Sequence, residues 1–214
     1  MDKEYWESFY SKQRTIGNPT MFAKHILENY EIKKGASLIE LGCGNGRDSA
    51  FFHKNGLNVL AVDQAESEID FLKNQYDSSE GITFFCGDFS KLESKKEYDI
   101  VYSRFTLHSI NATEQDWTLN WAYENLNEGG LFCVEVRGQK NELYEKGEKV
   151  AGENDAYIHD DHYRRFIEFD FLCEELKRLG FTIEFSNETS GFAPFKDTNE
   201  TFIRIISRKP LKDN

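Results

Sequence analysis

Leu38-Ile39-Glu40-Leu41-Gly42-Cys43-Gly44-Asn45-Gly46-Arg47-Asp48 decides how this chain is read. An apolar strand carrying one acid runs into a G-x-G-x-G turn, and the turn opens directly into a helix. Glycines at such a turn let the backbone pass close to a bound nucleotide, where a Cβ would collide. The dinucleotide-binding version of this turn asks for G-x-G-x-x-G and a cradled pyrophosphate. Here the third glycine comes one residue early and Glu40 precedes the turn. A carboxylate beside the ligand suits a cation better than a pyrophosphate.

The segments downstream repeat the pattern of a buried strand ending in a polar residue. Leu57–Asp63 is a second apolar strand ending in an acid, placed to accept hydrogen bonds from the ribose hydroxyls of an adenosine. Ile82–Cys86 leads into Gly87-Asp88-Phe89, Tyr98–Ser103 into Arg104-Phe105-Thr106-Leu107-His108, and Leu131–Val136 follows Asn127-Glu128-Gly129-Gly130. In this order and at this spacing, residues 37–136 resemble the class I S-adenosylmethionine (SAM) dependent methyltransferases.

The remaining pattern predicts an α/β fold. Helices are expected from Asn18-Pro19 through Tyr30, over 46–54, 65–76, 113–126 and 169–178, the last ended by Gly180. Strands at Phe181–Phe185 and Thr201–Ile206 alternate clearly, as an antiparallel pair closing a sheet does. The resemblance implies a Rossmann-like, seven-stranded, mostly parallel sheet with one antiparallel strand and helices on both faces. All 214 residues are expected in one domain, with an N-terminal cap over 1–34 and an acceptor-loop insertion over about 138–166.

Composition narrows the function. A net charge of −12 opposes binding to a phosphate backbone, so no nucleic-acid partner is expected and a small-molecule acceptor is favoured. No apolar run is long enough to span a membrane, and with no charged-then-apolar pattern at the start no signal peptide is expected. Cys43, Cys86, Cys133 and Cys173 are scattered without a C-x-x-C pair, as in a reduced, cytoplasmic protein. His159-Asp160-Asp161-His162 lacks a further ligand at convincing spacing, so no metal is expected.

The resemblance implies SAM as cofactor and S-adenosylhomocysteine as product. On the matching positions, Gly42 and Gly44 give the backbone its close approach and Glu40 faces the amino group of the methionine moiety. Asp63 takes the ribose, Gln64 lies beside the adenine, and Asp88 and Phe89 take its edge and face. Asp63 as the cap of the following helix, and Asp88 as a turn residue, stand as the simpler alternatives. Arg104 pairs with either the methionine carboxylate or the acceptor. Near the start of the chain, the aromatic run Tyr5-Trp6-Glu7-Ser8-Phe9-Tyr10 reads as a lid over the cofactor or as an ordinary packed first helix.

The acceptor side is read from Arg137 and the insertion, where Tyr144, Lys146, Tyr163, Arg164 and Arg165 supply groups suited to an anion. The same residues also read as a solvated loop of mixed charge. This region is similar to small-molecule O-methyltransferases acting on phosphonate or phosphoramidate groups, which implies an anionic oxygen that needs no strong base. Arg104, Arg137 and His108 are the candidate catalytic residues. The alternatives are methylation of a neutral small molecule with His108 as base, and a SAM-binding protein without transfer chemistry. An NAD(P)-dependent oxidoreductase would need the later third glycine.

Overall fold

The computed structural model describes residues 16–93, 97–195 and 197–212. The aromatic segment expected as a lid, Tyr5–Tyr10, lies outside the described residues. Strands β1 (Ser37–Leu41), β2 (Asn58–Asp63), β3 (Ile82–Cys86), β4 (Tyr98–Arg104), β5 (Leu126–Val136), β9 (Thr182–Thr189) and β10 (Phe202–Arg208) form one sheet. Between them, β6 (Glu148–Lys149), β7 (Ala156–His159) and β8 (His162–Arg165) make a second, small antiparallel sheet.

The large sheet runs β3-β2-β1-β4-β5-β10-β9. Pairings from β3 through to β5 are parallel, and β10 is antiparallel to both β5 and β9. This is the seven-stranded sheet with one reversed strand that the sequence implies. Alternation along each strand sorts the core into two layers. Ile39, Leu41, Val101, Phe132 and Val134 pack with residues of α4 (Ala112–Asn125) and α5 (Phe169–Arg178). On the other face, Leu38, Ile100, Tyr102 and Cys133 pack with α1 (Met21–Asn29), α2 (Arg47–Lys54) and α3 (Glu66–Gln75).

Element boundaries shift where a tertiary partner decides them. Helix α1 starts after Thr20, not at Asn18-Pro19, because the Thr20 hydroxyl accepts from the Ala23 N–H while Asp48 accepts from the Thr20 amide and hydroxyl. Helix α4 starts one residue early, at Ala112, under a reciprocal capping box between Asn111 and Glu114. The insertion is not an open loop. Tyr144, Tyr157 and Phe166 pack edge to face with centroids 5.5–6.1 Å apart, giving the small sheet an aromatic core of its own.

Candidate functional site

The glycine turn lies where β1 ends, and the neighbouring strands hold it there. The Gly42 and Cys43 amides both donate to the Val62 carbonyl, at 2.8 and 2.9 Å. Gly42 has a φ of +73°, and a Cβ on it would stand 2.3 Å from Thr106 Cγ2. Only glycine fits this position. Asp63, at the end of β2, accepts from the Gly44 amide and from the Ala65 amide that opens α3, each at 2.9 Å. Asp63 therefore ties the turn to β2 and to the residue that precedes α3, and it also lines the adjoining cavity.

Two buried carboxylates lie beside the turn. Glu40 accepts from the Ser49 hydroxyl, and burial followed by the nearby Asp48 charge pushes its carboxyl well above the usual range. Asp48 accepts from the Thr20 amide at 2.7 Å, the Thr20 hydroxyl at 2.8 Å and the Tyr102 hydroxyl at 2.8 Å. Asp48 thus joins α1, α2 and β4 at the glycine turn.

A cavity of about 590 Å³ opens beyond the carboxyl ends of β1, β2, β4 and β5, within the range typical of small-molecule sites. Glu40, Gly42, Gly44, Asp63, Gln64 and Phe89 line it at the glycine turn, and Arg104 and Arg137 line it as well. The Gln64 side-chain nitrogen and the Ser109 hydroxyl are buried without a hydrogen-bond partner among the described residues. Asp88 is absent from the lining. Its carboxylate accepts from the Ser90 amide and hydroxyl and from Lys91, capping the short turn that carries Phe89.

At the other end, guanidiniums and phenyl rings dominate. Arg104 donates to Glu135 at 2.7 Å, and Arg204 donates to the same buried carboxylate. Phe105 has a φ of +59°, a left-handed conformation that costs a non-glycine residue about 1–3 kcal/mol. That conformation sets its ring 3.9 Å from the Arg104 guanidinium and 4.7 Å from the Phe202 ring. Arg137 donates to Asn141 at 2.8 Å and to Glu200. The hairpin between β9 and β10 brings Phe192, Pro194, Phe195 and Glu200 to the same wall.

Other candidates lie away from the cavity lining. His108 is buried, with Nδ1 3.5 Å from the Arg137 amide. Burial, and then the Arg137 charge, hold its pKa well below the usual value. Tyr144 donates to Asp155 at 2.7 Å and Tyr163 to Glu153 at 2.5 Å. Arg164 donates to the His159 carbonyl at 2.9 Å, and Arg165 to the Ile110 carbonyl at 3.2 Å and to Gln115. Lys146 is exposed. Tyr144, Tyr163, Arg164 and Arg165 build and anchor the small sheet, and Arg137 alone of the acceptor-side candidates lines the cavity.

Thr20, Phe105, Phe192 and Glu200 line the cavity without having been singled out from the sequence. The sequence signal for Asp48 was its place on the first turn of the helix after the glycines. Glu200 had none, since its position depends on a strand pairing distant along the chain. Among the described residues, no helix is long and apolar enough to cross a membrane, and no cluster of His, Cys, Asp and Glu is arranged to hold a metal ion.

Comparison with known proteins gives matches over part of the chain. Residues 38–130 match the model of a methyltransferase domain. The chain is 26% identical over 158 residues to a malonyl-[acyl-carrier protein] O-methyltransferase of Bacillus cereus, covering 71% of this chain and 57% of the relative. It is 27% identical over 209 residues to phosphoethanolamine N-methyltransferase 1 of Triticum aestivum, covering 89% of this chain and 40% of that one. The chain thus spans about half the length of these curated relatives. Its fold superposes with a TM-score of 0.73 on the 1,6-didemethyltoxoflavin-N1-methyltransferase of Burkholderia thailandensis, a structure with bound S-adenosylhomocysteine. That pair is 22% identical, and the match covers 97% of this chain and 87% of the other.

Proposed function

We propose that this chain, a member of the class I SAM-dependent methyltransferases, transfers a methyl group to a small, anionic acceptor held at Arg137. One observation carries the reading: a single cavity joins the glycine turn to a wall of phenyl rings and guanidiniums. The glycine-turn end fits SAM. Gly42 leaves room that a Cβ would fill, Gln64 presents an unpaired buried donor, and Glu40 and Asp63 supply carboxylates to a cationic ligand bearing ribose hydroxyls.

When bound, SAM supplies a methyl group already activated on sulfonium sulfur. The protein's task is then to position and to exclude water. Gly42 and Gly44 would admit the cofactor backbone-close, Glu40 would face its amino group, and Asp63 its ribose. Gln64 and Phe89 would hold the adenine, with Asp88 acting through the turn it caps. Arg104, fixed by Glu135, orients the Phe105 ring at the junction of the two ends.

An anionic oxygen such as that of a phosphonate, phosphate or phosphoramidate needs no proton removed. Orientation against the methyl donor then provides much of the rate gain, up to about 7–11 kcal/mol in favourable intramolecular reactions. Support for this charge preference comes from the acceptor end of the cavity, where Arg104 and Arg137 line the wall beside one carboxylate, Glu200, leaving net positive charge. The neutral-hydroxyl alternative has less support, because His108, its base, does not line the cavity.

The test is methyl transfer from labelled SAM to a panel of phosphonates, phosphates, carboxylates and neutral alcohols. Turnover is expected on the anionic acceptors, with kcat/KM falling about 100-fold in Arg137→Ala, the weight of a lost charge-assisted hydrogen bond in a partly buried site. Turnover confined to neutral alcohols and abolished in His108→Ala would replace this reading with general-base catalysis.

A further inference from the structure

Two carboxylates anchor the ion pairs near the acceptor end, and they differ in how firmly they are held. Glu135 is fully buried and shared between Arg104 and Arg204, so removing it from either guanidinium would strand a charge inside the protein. The Arg137–Glu200 pair is built otherwise. Arg137 keeps its place without Glu200: Asn141 Oδ1 accepts from it at 2.8 Å, and the Phe202 ring lies 5.1 Å from the guanidinium carbon. Asn141 is itself fixed, donating to the Thr201 carbonyl at 2.8 Å and accepting from the Leu143 amide at 3.1 Å.

Glu200 is held less firmly. Its side chain is 22% exposed on the cavity wall, and both of its donors among the described residues, Arg137 and Asn141, act on Oε2. The backbone beside it is pinned separately, since the Thr201 amide and hydroxyl donate to Glu142 at 2.7 and 3.0 Å. The carboxylate can therefore swing toward solvent while the hairpin, Asn141 and Arg137 stay where they are.

We propose that Glu200 is the acceptor-selecting residue: an internal carboxylate that occupies Arg137 in the empty site and yields it to an oxyanion of the acceptor. This rests on the anionic-acceptor reading above. It adds that only an acceptor able to outcompete a tethered carboxylate engages Arg137, so Glu200 sets a threshold of charge and geometry. A phosphonate, carrying more charge than a carboxylate and a third oxygen, passes that threshold more readily than an acetate-like group.

The experiment is calorimetric binding of methylphosphonate, and separately of acetate, to the S-adenosylhomocysteine-loaded protein and its Glu200→Gln, Arg137→Ala and doubly substituted variants. Glu200→Gln keeps the side-chain shape and a hydrogen-bond acceptor while removing the competing charge. Methylphosphonate is expected to bind about tenfold tighter to Glu200→Gln than to the unmodified protein, the scale of one partly exposed ion pair removed from competition. The gain should vanish in the double variant, and acetate should gain at least as much as phosphonate.

Unchanged or weaker binding in Glu200→Gln, or binding detected in neither protein, overturns the proposal. Weaker binding would make Glu200 a positioning residue for Arg137. Because the readout is binding, it stands apart from turnover: failure of phosphonate methylation alongside the expected gain would refute the proposed function, whereas methylation without the gain would refute the role of Glu200 alone.

Discussion

Asp48 shows how much of this site rests on one carboxylate. It accepts three hydrogen bonds and is almost completely buried, so deleting it removes the shared acceptor of two hydroxyls and an amide. Asp48→Ala is expected to lower the free energy of unfolding by about 3 kcal/mol, read from urea denaturation. A loss below about 1 kcal/mol, on the order of an exposed polar substitution, would mean that water replaces the carboxylate there. His108 makes a second prediction at this scale, with a defined sign. Its folded pKa is depressed by burial and by Arg137, so below its unfolded value near 6.5 the unfolded chain binds the extra proton first. Stability contributed by the neutral imidazole is present above about pH 6.5 and is lost as pH falls toward the folded pKa, with a slope of up to about 1.4 kcal/mol per pH unit. His108→Gln should flatten that part of the profile relative to the unmodified protein. Identical slopes for the two between about pH 7 and pH 5 would refute it.

Helix α1 carries the prediction at the scale of elements. Thr20 caps it and is in turn held by Asp48, so the helix start is welded to the glycine turn. Thr20→Ala should cost about 1–2 kcal/mol, whereas Thr20→Ser, which keeps the hydroxyl, should cost less than half of that. Equal thermal stability of the two variants would show the cap to be idle. The same helix explains what the sequence could not settle. Asn18-Pro19 and Thr20 are both acceptable local start signals, and the choice is made by a carboxylate 28 positions away. The insertion follows the same logic. Charged residues in a loop read as ligand-binding groups or as solvated surface, and the structure gives Tyr144, Tyr163, Arg164 and Arg165 a third role as partners within and beneath a small sheet. By contrast, the central strands β1, β4 and β5 are legible because their apolar runs are buried on both faces.

Across the whole molecule, the two ends of the cavity were legible to different degrees for a topological reason. The glycine-turn end is assembled from residues that directly follow β1, β2 and β3, so contiguous motifs name them. The acceptor end needs Arg137 after β5 and the β9–β10 hairpin to meet across the reversed strand, a meeting that no local pattern encodes. This asymmetry makes ligand-linked stability the natural whole-molecule test, because the glycine-turn end should bind its ligand whether or not the acceptor is known. Ligand that binds the folded state alone adds about 2.7 kcal/mol at 100 times its Kd, which for a chain of this size raises Tm by about 5–10 °C. S-adenosylhomocysteine should produce that shift, and NAD should produce none, since the turn lacks the spacing that cradles a pyrophosphate. Asp63→Asn separates the two duties of that side chain. It keeps an acceptor for the Gly44 or Ala65 amide but removes the charge offered to the ribose hydroxyls, so the intrinsic Tm should move less than the ligand-induced shift, which should fall to under half. An undiminished shift in Asp63→Asn would reduce Asp63 to a tie of the glycine turn, and would move the ribose to another part of the cavity.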